Sequence, residues 1–202
     1  MIKEKEATFF KKVAFFCFLL YNKFAKHWIR KQEDIRKKKV RIIMSLEKAR
    51  EHLKQYGMDG RILEFGTSSA TVCEAAKAAN CTEGEIAKTL SFLVADKPVL
   101  IVVAGDCKID NAKYKKEFLT KAKMIPFESV EEIVGHKVGG VCPFGIKENA
   151  TVYLDESLKR FEMVYPACGS SNSAIKLTIA ELEKTSGYEK WIDVCKEYEN
   201  IE

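Results

Sequence analysis

Ala87-Lys88-Thr89-Leu90-Ser91-Phe92-Leu93-Val94, followed by Asp96-Lys97-Pro98 and then Val99-Leu100-Ile101-Val102-Val103-Ala104, is the stretch that decides the fold. Two runs rich in apolar and β-branched residues, parted by a short charged link, predict two strands joined by a turn at Asp96-Lys97-Pro98. Alternation along the first run puts Lys88 on the same face as Leu90 and Phe92. A lysine on an apolar strand face needs a partner or a cleft for its charge.

Upstream of these strands, Leu46, Ala49, Leu53 and Tyr56 recur at helical spacing after Ser45, a fitting N-cap, and Gly57 or Gly60 ends the helix. Arg61 to Phe65 reads as a short strand. Thr71 caps a helix through Ala79, with Val72, Ala75, Ala76 and Ala79 on one apolar face. Downstream, Asp110 caps a helix to Leu119 or Lys121, and Ser129 to Val134 is a short acidic helix. Thr151–Leu154, Glu162–Tyr165 and Ala174–Leu177 read as strands. Thr178-Ile179-Ala180-Glu181 carries the capping-box signature of a helix start, and a last amphipathic helix is expected over Tyr188 to Tyr198. Interleaved short strands and helices predict an α/β (α+β) domain: a mixed, partly barrelled sheet with helices around it. There is no internal repeat, and no Rossmann or P-loop motif.

Charge divides the chain. The net charge of +5 is the sum of +9 over residues 1–43 and −4 over residues 44–202. The leader contains an apolar run from Val13 to Tyr21, shorter than the roughly 20 residues a helix needs to cross a bilayer, and a basic stretch from Arg30 to Arg41. A basic membrane-surface segment fits this pattern, and would make the chain a membrane-associated protein. The simpler reading is that Met44-Ser45-Leu46-Glu47 is the natural start. Residues 1–43 are then an N-terminal extension outside the native protein, and 44–202 the single domain. Seven cysteines show no C-x-x-C spacing, and three histidines form no metal-binding pattern. Scattered thiols suit a reducing cytosol, so a cytoplasmic protein with no metal and no cofactor is expected.

The second informative run is Val138-Gly139-Gly140-Val141-Cys142-Pro143-Phe144-Gly145. Two glycines a short step before proline describe a tight turn that something approaches closely. Such a loop can present bare N–H groups to an anion or a developing oxyanion. Taken alone it also fits an ordinary turn between strands. Glu85-Ile86-Ala87-Lys88-Thr89-Leu90, the glycine run, Val152-Tyr153-Leu154-Asp155-Glu156-Ser157-Leu158, and Tyr165-Pro166-Ala167-Cys168-Gly169-Ser170-Ser171-Asn172 follow one another in the chain. In that order they resemble the YbaK/EbsC family, the prolyl-tRNA-synthetase-associated or aminoacyl-tRNA editing domain, over roughly residues 44–187.

The resemblance implies a YbaK-like fold and a free-standing trans-editing deacylase, which hydrolyses the ester of a mischarged small amino acid on tRNA. Its functional lysine falls on Lys88, its G-x-x-x-P loop on Gly139-Gly140-Val141-Cys142-Pro143, and its glycine-bearing third element on Ala167-Cys168-Gly169. The spelling of the loop stands nearer to the branches that act on alanyl, seryl or threonyl esters. Ester hydrolysis needs a water, a proton acceptor and oxyanion stabilisation. Lys88 supplies a point charge for a phosphate or the ester, and the N–H groups of Gly140 and Val141 supply donors. The resemblance leaves the base to the substrate's ribose hydroxyl or amino group. Cys142, Pro143, Phe144, Cys168, Gly169, Ser170 and Asn172 are the expected substrate contacts, Cys142 as a small pocket-shaping side chain rather than a nucleophile. His136, close to the loop, reads as a base or as a surface histidine at a helix end.

Lys108, Lys113, Lys115 and Lys116, with Lys121 and Lys123, make a local +4 against Asp110 and Glu117. They fit contact with an acceptor-stem backbone and equally a solvated helix face. The partners expected are aminoacyl-tRNA and an aminoacyl-tRNA synthetase, with neither DNA nor stable membrane insertion. The alternative from another class is a non-catalytic tRNA- or synthetase-binding module of the same fold.

Overall fold

The computed structural model describes residues 27–33, 36, 44–67 and 69–197. The chain divides into two units, Met1–Arg41 and Ile42–Glu202. In the first, residues 27–33 are helical and expose Trp28 and Ile29. The apolar run at 13–21 and Lys37 to Lys39 lie outside the described residues. Among the described residues no helix is long and apolar enough to cross a membrane.

In the second unit, helix α1 covers residues 44–54 and buries Leu46, Ala49 and Leu53, the predicted stripe. Met44 and Ser45 are themselves helical, so Ser45 lies inside α1 rather than at its cap. Strand β1 (Ile62–Glu64) and helix α2 (Val72–Ala79) follow, the latter held by a complete capping box of Thr71 and Glu74. Next come β2 (Ile86–Val94), β3 (Lys97–Ala104) and β4 (Cys107–Ile109). Helix α3 (Asn111–Phe118) starts where the Asp110 carboxylate accepts from the backbone of Ala112 and Lys113. Helix α4 (Val130–Val134) is a single turn preceded by a 3-10 turn over Phe127–Ser129. The chain closes with β5 (Thr151–Asp155), β6 (Met163–Pro166), β7 (Ser173–Ile175), β8 (Leu177–Thr178), α5 (Ile179–Ser186), β9 (Lys190–Ile192) and β10 (Cys195–Glu197).

The β2–β3 hairpin is the centre of a mixed six-stranded sheet in the order β8-β6-β2-β3-β5-β9. Its link is tighter than expected. Ala95 and Asp96 both have positive φ, Val94 pairs with Lys97, and Lys97-Pro98 already belongs to β3. Two left-handed residues are what a two-residue hairpin turn needs to match the strands' twist. β3 supplies the deepest part of the core: Leu100 to Ala104 are fully buried, because β2 and β5 flank it and other elements cover both faces.

The chain after Ile175 departs from expectation in two places. Ala174–Leu177 is not one strand but two, β7 on β1 and β8 on β6, divided at exposed Lys176. The helix expected over Tyr188–Tyr198 is replaced by β9, parallel to β5, and β10, antiparallel to β4. Trp191, Ile192 and Val194 suit strands as well as helices. The open edges of β5 and β4 decide the matter, and buried Asp155 seals it by accepting from the Val194 N–H at 2.9 Å.

Candidate functional site

Lys88 sits one residue beyond Ala87, which pairs with Pro166 across the parallel β2–β6 contact. Pro166 leads straight into Ala167–Asn172, so the Lys88 backbone borders the second predicted loop. On the face that Lys88 shares with Phe92, the Tyr114 ring of α3 packs tilted against Phe92 at 5.1 Å and Phe118 packs tilted against Tyr114 at 4.7 Å between centroids. The ammonium leaves this apolar face at the end of the sheet. It donates to the carbonyls of Gly105, at 2.9 Å, in the turn after β3, and of Cys107, the first residue of β4. The charge of a half-buried strand lysine is thus met by carbonyl dipoles, as its position demanded.

The glycine loop and the 167–172 loop are brought together. A Cβ on Gly140 would lie 2.6 Å from Ser170 N and 2.7 Å from Gly169 C, so the two backbones touch where Gly140 has no side chain. Gly139, at φ +90°, faces Ala70 and Ser171 at ordinary contact distance. The Gly140 N–H does not point outward as the sequence suggested: it closes a turn onto Lys137 O at 3.0 Å. Of the two donors expected here, Val141 N–H is the one not used in that turn.

Cys142, Pro143, Phe144 and Cys168 turn their side chains into the core. Cys142 and Cys168 are fully buried, and burial pushes the Cys142 thiol up to about 12 and the Cys168 thiol well above its usual value. Neither forms a thiolate near neutral pH, which removes the nucleophile role. Ser170 and Asn172 build the second loop itself. Ser170 Oγ hydrogen-bonds Ser173 Oγ at 2.7 Å and Asn172 Oδ1 at 2.9 Å, and Asn172 Nδ2 donates to Phe65 O at 3.0 Å. Their first duty is to hold the loop's shape.

His136 is neither at the surface nor available as a base. It is fully buried, with Nδ1 2.7 Å from Ser45 Oγ and Nε2 2.7 Å from Phe144 O. Desolvation lowers its pKa to about 4, so the ring is neutral. The expectation failed because a histidine next to a helix-ending glycine carries no mark of burial in the sequence. The Ser45 partner, 91 positions away, had no signal at all.

The four lysines expected at RNA differ. Lys115 and Lys116 are exposed on the last turns of α3, where cations also suit the helix dipole. Lys108 faces Lys196 across the β4–β10 ribbon, which concentrates positive charge there. Lys113 is instead tied to Asp193 at 2.7 Å and to Cys195 O at 2.8 Å. It lines a cleft of about 290 Å³ with Cys107, Asp155, Arg160 and Cys195, and neither Lys88 nor the glycine loop contributes to that lining.

Comparison with known proteins bears on this arrangement. The family model of the aminoacyl-tRNA editing domain matches residues 67–185. An uncharacterised Bacillus subtilis (strain 168) protein, YwhH, is 51% identical over 157 residues, which is 77% of this chain and the whole of that one. EbsC of Enterococcus faecalis (strain ATCC 700802 / V583), described as a candidate Cys-tRNA(Pro)/Cys-tRNA(Cys) deacylase, is 30% identical over 98 residues, 47% of this chain and 59% of that one. Among solved structures, a candidate trans-editing enzyme for prolyl-tRNA synthetase superposes with a TM-score of 0.69 at 27% identity. The superposition covers 75% of this chain and 97% of that one.

Proposed function

Because the chain belongs to the aminoacyl-tRNA editing domain family, we propose that it is a free-standing deacylase that hydrolyses, in trans, the ester between a small amino acid and the wrong tRNA. The observation that carries this reading is the contact of the two loops through Gly140, at the end of the strand pair that holds Lys88. A bare backbone junction, with Lys88 on the strand that pairs with the chain leading into one of its two loops, suits a substrate whose ester lies next to phosphates. It offers dipoles to the carbonyl that becomes an oxyanion, and a cation to the negative charge. Val141 N–H is assigned the oxyanion, and Lys88 the phosphate or ester oxygen.

The protein's own acid–base groups near the loop do not serve as the base: the Cys142 and Cys168 thiols stay protonated, and His136 is neutral with both nitrogens engaged. The proton of the attacking water is assigned to the substrate, to its ribose hydroxyl or its amino group, as the family resemblance implies. Lys115, Lys116 and Lys108 are assigned to the RNA backbone, where each cation adds salt-sensitive affinity. Lys113, already paired, contributes less. An aminoacyl-tRNA synthetase remains the proposed protein partner.

One observation favours the second reading, a non-catalytic tRNA- or synthetase-binding module: the Lys88 ammonium is engaged with two carbonyls, as a structural lysine would be. Assaying the full chain against a panel of tRNAs mischarged with alanine, serine, threonine or cysteine separates the two. Under the catalytic reading at least one ester is hydrolysed, and Lys88→Ala lowers that rate about 10²-fold or more in protein verified as folded. No hydrolysis of any member, or a rate unchanged in the variant, rejects the catalytic reading.

A further inference from the structure

The first turn of α1 touches both loops of the site. A Cβ on Gly169, which has φ +77°, would fall 2.3 Å from Ser45 O. One on Gly145, at φ +63°, would fall 2.6 Å from Lys48 O. Two loops far apart in sequence thus rest on the same four residues of helix backbone. Between these contacts lies the buried Ser45–His136 pair.

The tautomer of that pair follows from its partners. Phe144 O only accepts, so His136 Nε2 carries the hydrogen and donates to it; Nδ1 is then an acceptor and receives the Ser45 hydroxyl. The chain of bonds runs from α1 through His136 to the exit of the glycine loop. Cys142 Sγ lies 3.7 Å from Nε2 and 3.6 Å from Phe144 O, and the Gly169 backbone lies beside the same sulfur. All three side chains are buried, so no ligand reaches them.

We propose that Ser45 and His136 are positioning residues that fix the register of the glycine loop against the 167–172 loop by anchoring both to α1. This rests on the deacylase reading for its catalytic consequence but not for its structural one. The neutral imidazole acts as a rigid spacer with one donor and one acceptor at opposite ends, a role no hydrophobic side chain fills. Holding two loops within an ångström of their productive separation is the kind of restraint whose loss costs a rate rather than a fold.

The test uses the full chain with Ser45→Ala, His136→Leu and His136→Gln. Hydrogen–deuterium exchange of peptides covering 136–146 and 167–173 is compared with that of β3. Ser45→Ala and His136→Leu are expected to speed exchange in both loop peptides about 10-fold or more, with β3 unchanged. His136→Gln, whose side-chain amide can still donate to Phe144 O, is expected to restore slow exchange. Hydrolysis should follow with a lower kcat, a KM within about twofold of wild type, and recovery in His136→Gln. Unchanged loop exchange in Ser45→Ala overturns the proposal, and so does equal acceleration across β3. Should His136→Leu fail to fold, Ser45→Ala and His136→Gln decide alone. A wild-type chain that hydrolyses nothing refutes the deacylase reading while the exchange data still judge the anchor.

Discussion

Replacing Gly140 by alanine tests the contact on which the site is built. The new Cβ would stand 2.6 Å from Ser170 N and 2.7 Å from Gly169 C and Ser170 Cα, all of them backbone atoms that cannot swing aside. Ordinary contact is about 3.5 Å or more, so the loops must part by about 1 Å. Overpacking of this kind costs about 1–3 kcal/mol, and a 1 Å misplacement of catalytic groups can cost about 10²-fold in rate. Gly139→Ala is the matched control. Its φ of +90° is strained for alanine, yet its nearest neighbours are 3.5 Å away. It is therefore expected to lose about 1–2 kcal/mol to backbone strain while leaving the loop separation intact. Urea unfolding and deacylation, measured on both variants, should show similar stability losses and a much larger rate loss for Gly140→Ala. Wild-type hydrolysis by folded Gly140→Ala would refute the claim that close approach of the two backbones is what the site requires.

Two further outcomes follow from burial. At pH 8 a thiol with a pKa near 12 is ionised only on the order of 10⁻⁴ of the time. Native alkylation should therefore label exposed Cys73 and leave buried Cys142 and Cys168 untouched, as read by peptide mass spectrometry; early modification of Cys142 would contradict its placement. Among the described residues the Tyr114 hydroxyl is buried without a hydrogen-bond partner, so Tyr114→Phe removes an unmet desolvation cost of about 1–3 kcal/mol. Its thermal midpoint should equal or exceed that of wild type, and a lower midpoint would show that the hydroxyl has a partner after all.

What the sequence made legible was local. The hairpin, the Thr71 and Thr178 capping boxes and the Asp110 cap each depend on residues within a few positions; the caps formed where expected, and the hairpin formed with its turn drawn back to Ala95-Asp96. What it hid was pairing at long range. Trp191, Val194 and Tyr198 recur every three to four residues and spell a helix, yet Lys190–Ile192 and Cys195–Glu197 are drawn out into β9 and β10, Tyr198 lying outside the described residues. Their partners β5 and β4 lie tens of residues earlier. Ala174–Leu177 was divided for a related reason: β1 and the end of β6 both offered an edge, and the segment bends at Lys176 to serve both.

The same distinction holds within the glycine run. Its residue types announced a backbone without side chains, and that held. The Gly140 N–H is not displayed to a ligand, because that group turns back to Lys137 O. The absent Cβ serves approach to a second loop, and a run of eight residues cannot name the chain segment it will meet. The anchor beneath was hidden more deeply. A serine in a helix and a histidine after a glycine are each unremarkable, and only their meeting gives His136 two partners and keeps it neutral. In a site made mostly of backbone, the side chains that matter for geometry can be those that never touch substrate. Composition and spacing are therefore weakest where the loops are held, and strongest where a lone lysine must answer for its charge.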